Sequence, residues 1–166
     1  MCINREELIE VINKAFDGVK QPTKITLLVA ETHDKYDYKN DLKWRRKDYK
    51  GPWQGIPDEL IKTCQAVLSF VDNYGMRFYL PAYMTWYLKY YKETEVAWSD
   101  HTLYSLDNYP NDRKLSAYHK EQFSLFTPDQ MKACALFIKY LSEADDDFTD
   151  TDFARRKYEQ YWRQYK

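Results

Sequence analysis

The segment MRFYLPAYMTWYLKYY, residues 76–91, constrains the fold most, because nowhere else in the chain are large apolar side chains so dense. Pro81 suits the first position of a helix, where its missing N–H costs no hydrogen bond, so we predict a helix from Pro81 to about Lys92. Apolar residues at helical spacing form two stripes on it: Met84, Tyr87, Leu88 and Tyr91, and then Ala82, Trp86 and Tyr90. We therefore predict a helix that is covered on most of its circumference, at the centre of the core.

Two capping-box patterns mark helices on either side of this segment. Asn4 and Glu7 have the spacing that opens a first helix, which would end near Gly18. Thr127 and Gln130 have the same spacing, and the proline between them suits the first helical position. Apolar residues at helical spacing predict further helices, at least in part, over 23–36, 57–71, 99–106, 114–126 and 153–165.

These patterns predict a mainly α-helical fold with little or no sheet. The run ITLLVA at 25–30 also fits a buried strand, but the polar residues after it lack the period-two alternation of a strand. A chain of 166 residues is long enough to bury one hydrophobic core. We expect a single compact domain over residues 1–166, with about six helices around the central aromatic-rich one. Two stretches lie outside the helical pattern: a long loop at 38–55 and an acidic linker at 144–152 before the C-terminal helix.

The charge balance restricts the classes of partner. Charged residues make up 31% of the chain but sum to a net charge of −1, which argues against general attraction to nucleic acid or to anionic lipid. The three cysteines are odd in number and widely spaced, which is typical of reduced thiols in the cytoplasm. No secretory signal opens the sequence, and the longest uncharged run, residues 78–88, is too short to cross a membrane. We expect a cytoplasmic protein without a cofactor.

One cluster of residue types suits metal binding or acid–base chemistry. Glu31, His33, Asp34 and Asp37 lie within seven residues, and on a helix His33 and Asp37 would be one turn apart. Imidazole and carboxylate groups are metal ligands, and such a pair also transfers protons. A solvated helix end has the same composition. A metal site at His33, Asp34 and Asp37 is therefore the alternative hypothesis for this cluster.

A cationic stretch with aromatic residues lies inside the predicted 38–55 loop. Lys43, Trp44, Arg45, Arg46 and Lys47 are consecutive, a combination found on nucleic-acid surfaces. Acidic neighbours dilute the patch, which favours a charged surface loop with an anchoring tryptophan. From this loop we predict four partner-binding residues: Trp44, Arg45, Arg46 and Trp53.

An acidic run precedes the predicted C-terminal helix. Its carboxylates belong to Asp145, Asp146, Asp147, Asp150 and Asp152. A solvated linker with a helix cap explains such a run. The run also imitates the charge of nucleic acid and would block a basic protein partner. The second set of predicted partner-binding residues is therefore Asp145, Asp146, Asp147 and Asp150.

Three runs resemble, in the same order, a family of small bacterial proteins of unknown function. They are LSFVDNYGMRFYLPAYMTWYL at 68–88, LYSLD at 103–107 and FTPDQMKACALFIKYL at 126–141. The earlier runs AETHDKYDY and KDYKGPW are similar to the N-terminal half of that family. The resemblance covers roughly residues 25–142 and implies a shared fold unit. It implies no catalytic residues, because the family has none established.

Two function hypotheses from different classes follow. The sequence has no nucleophile elbow, phosphate-binding loop, dinucleotide fingerprint or zinc-protease motif. The first hypothesis is a protein-binding protein, most concretely an immunity protein that neutralises a cognate toxin of competing bacteria by direct binding. The second is a small metal- or ligand-binding enzyme that uses His33, Asp34 and Asp37. We prefer the first, with a protein partner and with no nucleic acid or membrane bound.

Overall fold

The computed structural model describes residues 2–92 and 100–166, and within them it contains helices and no β-strand. The nine α-helices of these residues are α1 Arg5–Ala15, α2 Leu27–Asp34, α3 Asp41–Lys47, α4 Asp58–Thr63, α5 Asn73–Tyr90, α6 Asp100–Tyr104, α7 Arg113–Gln122, α8 Pro128–Ser142 and α9 Thr151–Gln160. Short 3₁₀ helices cover Trp53–Gly55, Val67–Ser69 and Trp162–Tyr165. The predicted mainly helical fold is confirmed, but the described residues form more helices than the six or so expected.

Helix α5 is the central helix, as predicted. Thirteen of its 18 residues are buried, so the helix is covered on most of its circumference. Its Tyr87 ring meets the Phe137 ring of α8 at a centroid distance of 5.7 Å. In the described residues no helix, α5 included, combines the length and the apolar character needed to span a membrane.

Pro81 lies inside α5, so the prediction that it begins the helix is wrong. The helix begins at Asn73 instead, because the Asp72 carboxylate accepts a hydrogen bond from the Gly75 N–H at 2.8 Å. Residues 72–75 are thus the cap and first turn of α5. A proline in a helix interior costs about 3 kcal/mol. Burial of the apolar residues around Pro81 offsets that cost.

Both capping boxes form as predicted. Asn4 and Glu7 exchange side chain to backbone hydrogen bonds of 2.9 and 3.0 Å at the start of α1. Thr127 and Gln130 exchange the equivalent bonds at the start of α8. Helix α8 packs against α1 and α9, while α5 contacts α1, α4, α6 and α7. The buried side chains of these helices form one continuous core.

Residues 57–71 form two short helices and not the single helix that we predicted. Helix α4 ends at Thr63, and the carbonyl of Cys64 accepts a hydrogen bond from the Tyr83 hydroxyl of α5. This tertiary bond occupies a carbonyl that a continuing helix would have used. The chain then forms the 3₁₀ helix Val67–Ser69.

Helix α2 begins later than the predicted start at residue 23, because its N-cap is Thr26. The groups that cap it come from distant parts of the chain. The Thr26 side chain makes no capping hydrogen bond. Instead the Leu27 N–H donates to the Tyr79 hydroxyl at 3.0 Å, and the Leu28 N–H donates to the Asp48 carboxylate at 2.7 Å. Two side chains that are distant in sequence therefore bond N–H groups of the first turn, which have no partner within the helix.

The C-terminal segment also differs from the continuous helix predicted over 153–165. Helix α9 ends at Gln160, and Tyr161 has left the helical conformation. Trp162 is fully buried, and its indole N–H donates to the Leu106 carbonyl at 2.8 Å. The change of backbone conformation at Tyr161, where the 3₁₀ helix Trp162–Tyr165 follows α9, directs this ring into the core.

Helices α6 and α7 lie in stretches where short helices were predicted. Ser99, the predicted first residue of the former, lies outside the described residues. Helix α7 begins after Asp112, whose carboxylate accepts hydrogen bonds from the Lys114 and Leu115 N–H groups. Its last residues, His119 and Gln122, are buried.

Candidate partner-binding surface

Three large apolar side chains lie exposed on the hairpin that α2 and α3 form. The exposed fractions are 85% for Tyr36, 60% for Tyr38 and 57% for Leu42. Four exposed cations lie in the same stretch of chain. We call these seven residues the hairpin surface: Tyr36, Tyr38, Lys39, Leu42, Lys43, Arg46 and Lys47.

The turn of the hairpin has a defined backbone. The N–H groups of Tyr36 and Asp37 donate to the carbonyls of His33 and Thr32 at 3.0 and 2.9 Å. Tyr36 has a φ of 60°, in the left-handed region that bulky residues rarely occupy. Its ring points into solvent and gains no packing that would repay this strain. A strained and exposed aromatic residue is unusual for a turn with no role beyond connecting two helices.

Polar contacts, and not burial, hold α3 in place. The helix has no buried residue. At its start the His33 ring nitrogen Nε2 lies 2.9 Å from the Asp41 carboxylate. In its last turn the Arg45 guanidinium donates to the Lys24 carbonyl at 2.8 Å. Because these contacts fix the inner side of α3, Leu42 and Arg46 remain free to face solvent.

The hairpin concentrates positive charge. Residues 39–50 carry six Lys or Arg and two Asp, a net charge of +4 in a chain whose net charge is −1. Asp41 is paired with His33, and Asp48 is buried beneath the hairpin, where it caps α2. Among the described residues no carboxylate forms an ion pair with a cation of the hairpin surface. These cations are therefore available to a partner.

The predicted partner-binding residues of this stretch differ in their exposure and in their contacts. Arg46 is exposed, whereas Arg45 is occupied by its bond to the Lys24 carbonyl. Trp44 is half-buried, and the ammonium groups of Lys43 and Lys47 lie 5.2 and 5.3 Å from its ring centroid. The ring thus supports two lysines of the hairpin surface by cation–π contact.

Trp53, the fourth residue predicted from this stretch, lies in the core. It is 3% exposed, and its indole N–H donates to the Phe16 carbonyl at 2.9 Å. A ring so placed has no surface to offer a partner, so its assignment to a binding surface is corrected here. The predicted 38–55 loop is corrected with it, because α3 and the 3₁₀ helix Trp53–Gly55 lie inside that range.

The side chains proposed as metal ligands interact with different neighbours and do not converge on one point. His33 is paired with Asp41, and Glu31 forms an ion pair of 2.9 Å with Lys35. Hydrogen bonds from Asn40 and from the Lys39 N–H lower the pKa of the Asp37 carboxyl. Asp34 is half-buried at the end of α2. In the part of the chain that the structure describes, no three His, Cys, Asp or Glu side chains converge as a metal site requires.

The acidic run contains both structural and solvent-exposed carboxylates. Asp146 accepts hydrogen bonds from the Phe148 and Thr149 N–H groups and so forms a turn. Asp150 caps α9 and also accepts a hydrogen bond from the Tyr104 hydroxyl. Asp145 and Asp147 are exposed. Of the four residues predicted as a binding set, these two present their charge to solvent, while the other two shape the chain.

A family model matches residues 4–166, almost the whole chain. The chain belongs to the family of unknown function DUF6714. No curated protein and no solved structure matches it. The DUF6714 match extends beyond the residues 25–142 that the sequence resemblance covered, and it includes α1, α9 and the C-terminal 3₁₀ helix.

The apolar part of this DUF6714 chain's hairpin surface was missed by the sequence reasoning. The predicted helix over 23–36 includes Tyr36, and the sequence predictions give Tyr38 and Leu42 no role. Periodicity cannot find them, because their exposure depends on where the hairpin lies relative to the core. The available signal was local: Tyr36 and Tyr38 alternate with charged residues in a stretch with no apolar stripe.

Replacing Tyr36 by Gly is expected to raise the free energy of unfolding above that of a Tyr36→Ala variant by about 1 kcal/mol, because only glycine adopts φ = 60° without strain. Both variants remove the same exposed ring, so their difference isolates the backbone. Urea unfolding followed by circular dichroism measures it. A glycine variant no more stable than the alanine variant would show that the turn is unstrained.

Proposed function

We propose that this protein acts by binding another protein, most concretely as an immunity protein of the bacterial cytoplasm that occupies and neutralises a toxin of competing bacteria. The hairpin surface is the observation that carries the proposal. It combines exposed Tyr and Leu side chains with exposed Lys and Arg that form no ion pair within the described part of the chain. Aromatic residues and arginine are the types enriched in protein interfaces.

The energetics of the hairpin support a binding role. Exposed apolar side chains gain nothing in the isolated protein, whereas burial against a partner is worth about 25 cal/mol for each Å² of apolar surface removed from water. The backbone of the hairpin is already ordered by hydrogen bonds. An ordered surface loses little conformational entropy when it binds. The hairpin surface therefore has the chemistry and the preorganisation of an interface.

The second hypothesis, an enzyme that uses His33, Asp34 and Asp37, has no comparable observation in its favour. The His33 ring is paired with Asp41 and so fixes the start of α3. This role supports the hairpin surface and needs no metal.

The test is complex formation with the products of genes that neighbour the coding gene. Each product is expressed in a bacterial host with and without this protein, and growth is measured. Purified pairs are then analysed by size-exclusion chromatography with light scattering. We expect one toxic product, rescue of growth by this protein, and a stable complex.

A matched pair of variants localises the activity. Leu42→Ser removes an exposed apolar side chain from the hairpin surface, and Phe148→Ser removes one, 44% exposed, from the acidic run. We expect Leu42→Ser to weaken rescue and Phe148→Ser to leave it unchanged. If no neighbouring product is toxic and none forms a complex, the immunity proposal is wrong.

A further inference from the structure

We propose that the partner face seated on the hairpin surface is an acidic protein surface with an apolar centre. This inference rests on the proposed function and deepens it by naming the chemistry of the partner. Three observations support this inference. Cations border Leu42 in the sequence, the carboxylates of residues 39–50 already have hydrogen-bond partners, and the rings of Tyr38 and Trp44 already have ring or cation contacts.

The cations of the hairpin surface form no ion pair among the described residues. Asp41 and Asp48 are the carboxylates of residues 39–50, and both are occupied, by the His33 ring and by the N–H groups of Leu28 and Tyr49. Lys39 and Arg46 are exposed and, among the described residues, have no carboxylate within ion-pair distance. An acidic surface supplies the missing counter-charges, and it would also steer the partner during association.

The apolar residues require more than counter-charge. Leu42 lies three residues after Lys39 and one helical turn before Arg46, so cations border it on both sides in the sequence. Phosphate or carboxylate groups alone would leave this side chain in water. A protein surface with an apolar centre and an acidic rim buries Leu42 and pairs the cations at once.

The aromatic rings favour a protein over nucleic acid. Bases bind to single-stranded nucleic-acid sites by stacking on free aromatic faces. The Trp44 ring is flanked by Lys43 and Lys47, and the Tyr38 ring lies against His33 at a centroid distance of 4.8 Å. Among the described residues, Tyr36 is thus the one aromatic ring of the hairpin without a ring or cation contact.

The composition of α3 disfavours a lipid surface. A helix that lies in a lipid interface needs a broad apolar face, and Leu42 is the one large aliphatic residue of α3.

The experiment compares four probes of matched nominal charge by fluorescence anisotropy. They are a labelled helical peptide with glutamates around a leucine stripe, polyglutamate, oligothymidylate, and vesicles that contain phosphatidylserine. The protein is used as wild type, as Lys39→Glu with Arg46→Glu, as Leu42→Ser, and as the control Lys120→Glu with Lys132→Glu. The control reverses two exposed lysines on α7 and α8. Circular dichroism melting checks that each variant is folded.

We expect the leucine-containing acidic peptide to bind about tenfold more tightly than any other probe, with an affinity that falls as salt is added. The Lys39→Glu, Arg46→Glu variant should lose about tenfold or more in affinity, and Leu42→Ser should reduce binding to the level of polyglutamate. The control variant should bind as the wild type does. Amide chemical-shift changes should fall on residues 36–47.

The inference is overturned if oligothymidylate or the vesicles bind most tightly, or if no probe binds. It is also overturned if the Lys39→Glu, Arg46→Glu variant binds the acidic peptide as tightly as the Lys120→Glu, Lys132→Glu control does. Its failure is distinguishable from failure of the proposed function. A toxin complex that forms but is insensitive to salt and to Lys39→Glu with Arg46→Glu refutes the acidic partner alone. Peptide binding without any toxin complex refutes the immunity role alone.

Discussion

Replacing Trp162 by Ala is expected to lower the free energy of unfolding by about 3–5 kcal/mol, the range for the loss of a buried large aromatic side chain. Trp162 has no exposed surface, although it lies only four residues from the C-terminus. Its ring makes edge contacts with Phe123 and Tyr161 at centroid distances of 5.6 and 5.1 Å. Its indole N–H bonds the Leu106 carbonyl, so the ring joins the C-terminal segment to the loop after α6.

A Trp162→Phe variant separates packing from hydrogen bonding. Phenylalanine keeps an aromatic ring but leaves the buried Leu106 carbonyl without its donor, which costs about 1–3 kcal/mol. We expect urea unfolding to rank the wild type above Trp162→Phe, and Trp162→Phe above Trp162→Ala. The exposed neighbour Gln164, replaced by Ala, is the control and should change little. An alanine variant within about 1 kcal/mol of the wild type would mean that the C-terminal segment does not close the core.

Lowering the pH from about 7 to about 4 is expected to remove about 3 kcal/mol of stability through His119 alone. His119 is 2% exposed, and its ring stacks on Phe123 at a centroid distance of 4.5 Å. Burial lowers its pKa from 6.5 to about 4, the nearby Asp107 acts in the opposite direction, and Lys157 lowers it further. The neutral imidazole is therefore the form that the fold accommodates.

The direction of the effect follows from proton binding. Between the folded pKa of about 4 and the unfolded value of 6.5, the unfolded chain binds a proton that the folded protein does not. The stability contribution of neutral His119 is thus complete above the unfolded pKa. It is lost as the pH falls through this window, and the loss is complete once the pH is below the folded pKa.

A His119→Phe variant tests this effect, because phenylalanine fills the aromatic site without titrating. Denaturant unfolding of both proteins is measured at intervals between about pH 7 and pH 4, and the difference between them is taken at each pH so that other groups cancel. We expect the variant to gain about 3 kcal/mol relative to the wild type over this range. Parallel pH profiles would contradict a buried neutral histidine.

The sequence predicted those features of the fold that depend on local chemistry. The capping boxes at Asn4 and Thr127 form, and α5 is buried around its circumference. The errors occur where a distant group replaces a local one. The Tyr83 hydroxyl takes the Cys64 carbonyl and ends α4, and Tyr79 with Asp48 caps α2. No rule of spacing reveals such partners, because they depend on the packed core.

The hairpin surface was predictable in its charge and not in its apolar part. The cationic stretch was identified from consecutive residues, and Arg46 is indeed exposed. Trp53 was included because exposed and buried tryptophans have the same sequence signature, yet it bonds Phe16 in the core. Conversely, the predicted helix over 23–36 includes Tyr36, because a left-handed turn after α2 cannot be inferred from helical spacing.

Hydrogen–deuterium exchange of the complex with the proposed toxin partner tests the central claim most directly, because it compares the hairpin surface with the acidic run in one measurement. Peptides that cover residues 36–47 are expected to exchange more slowly in the complex than in the free protein. Peptides that cover residues 143–152 are expected to exchange equally in both. Protection confined to residues 143–152, with the hairpin unchanged, would contradict the account.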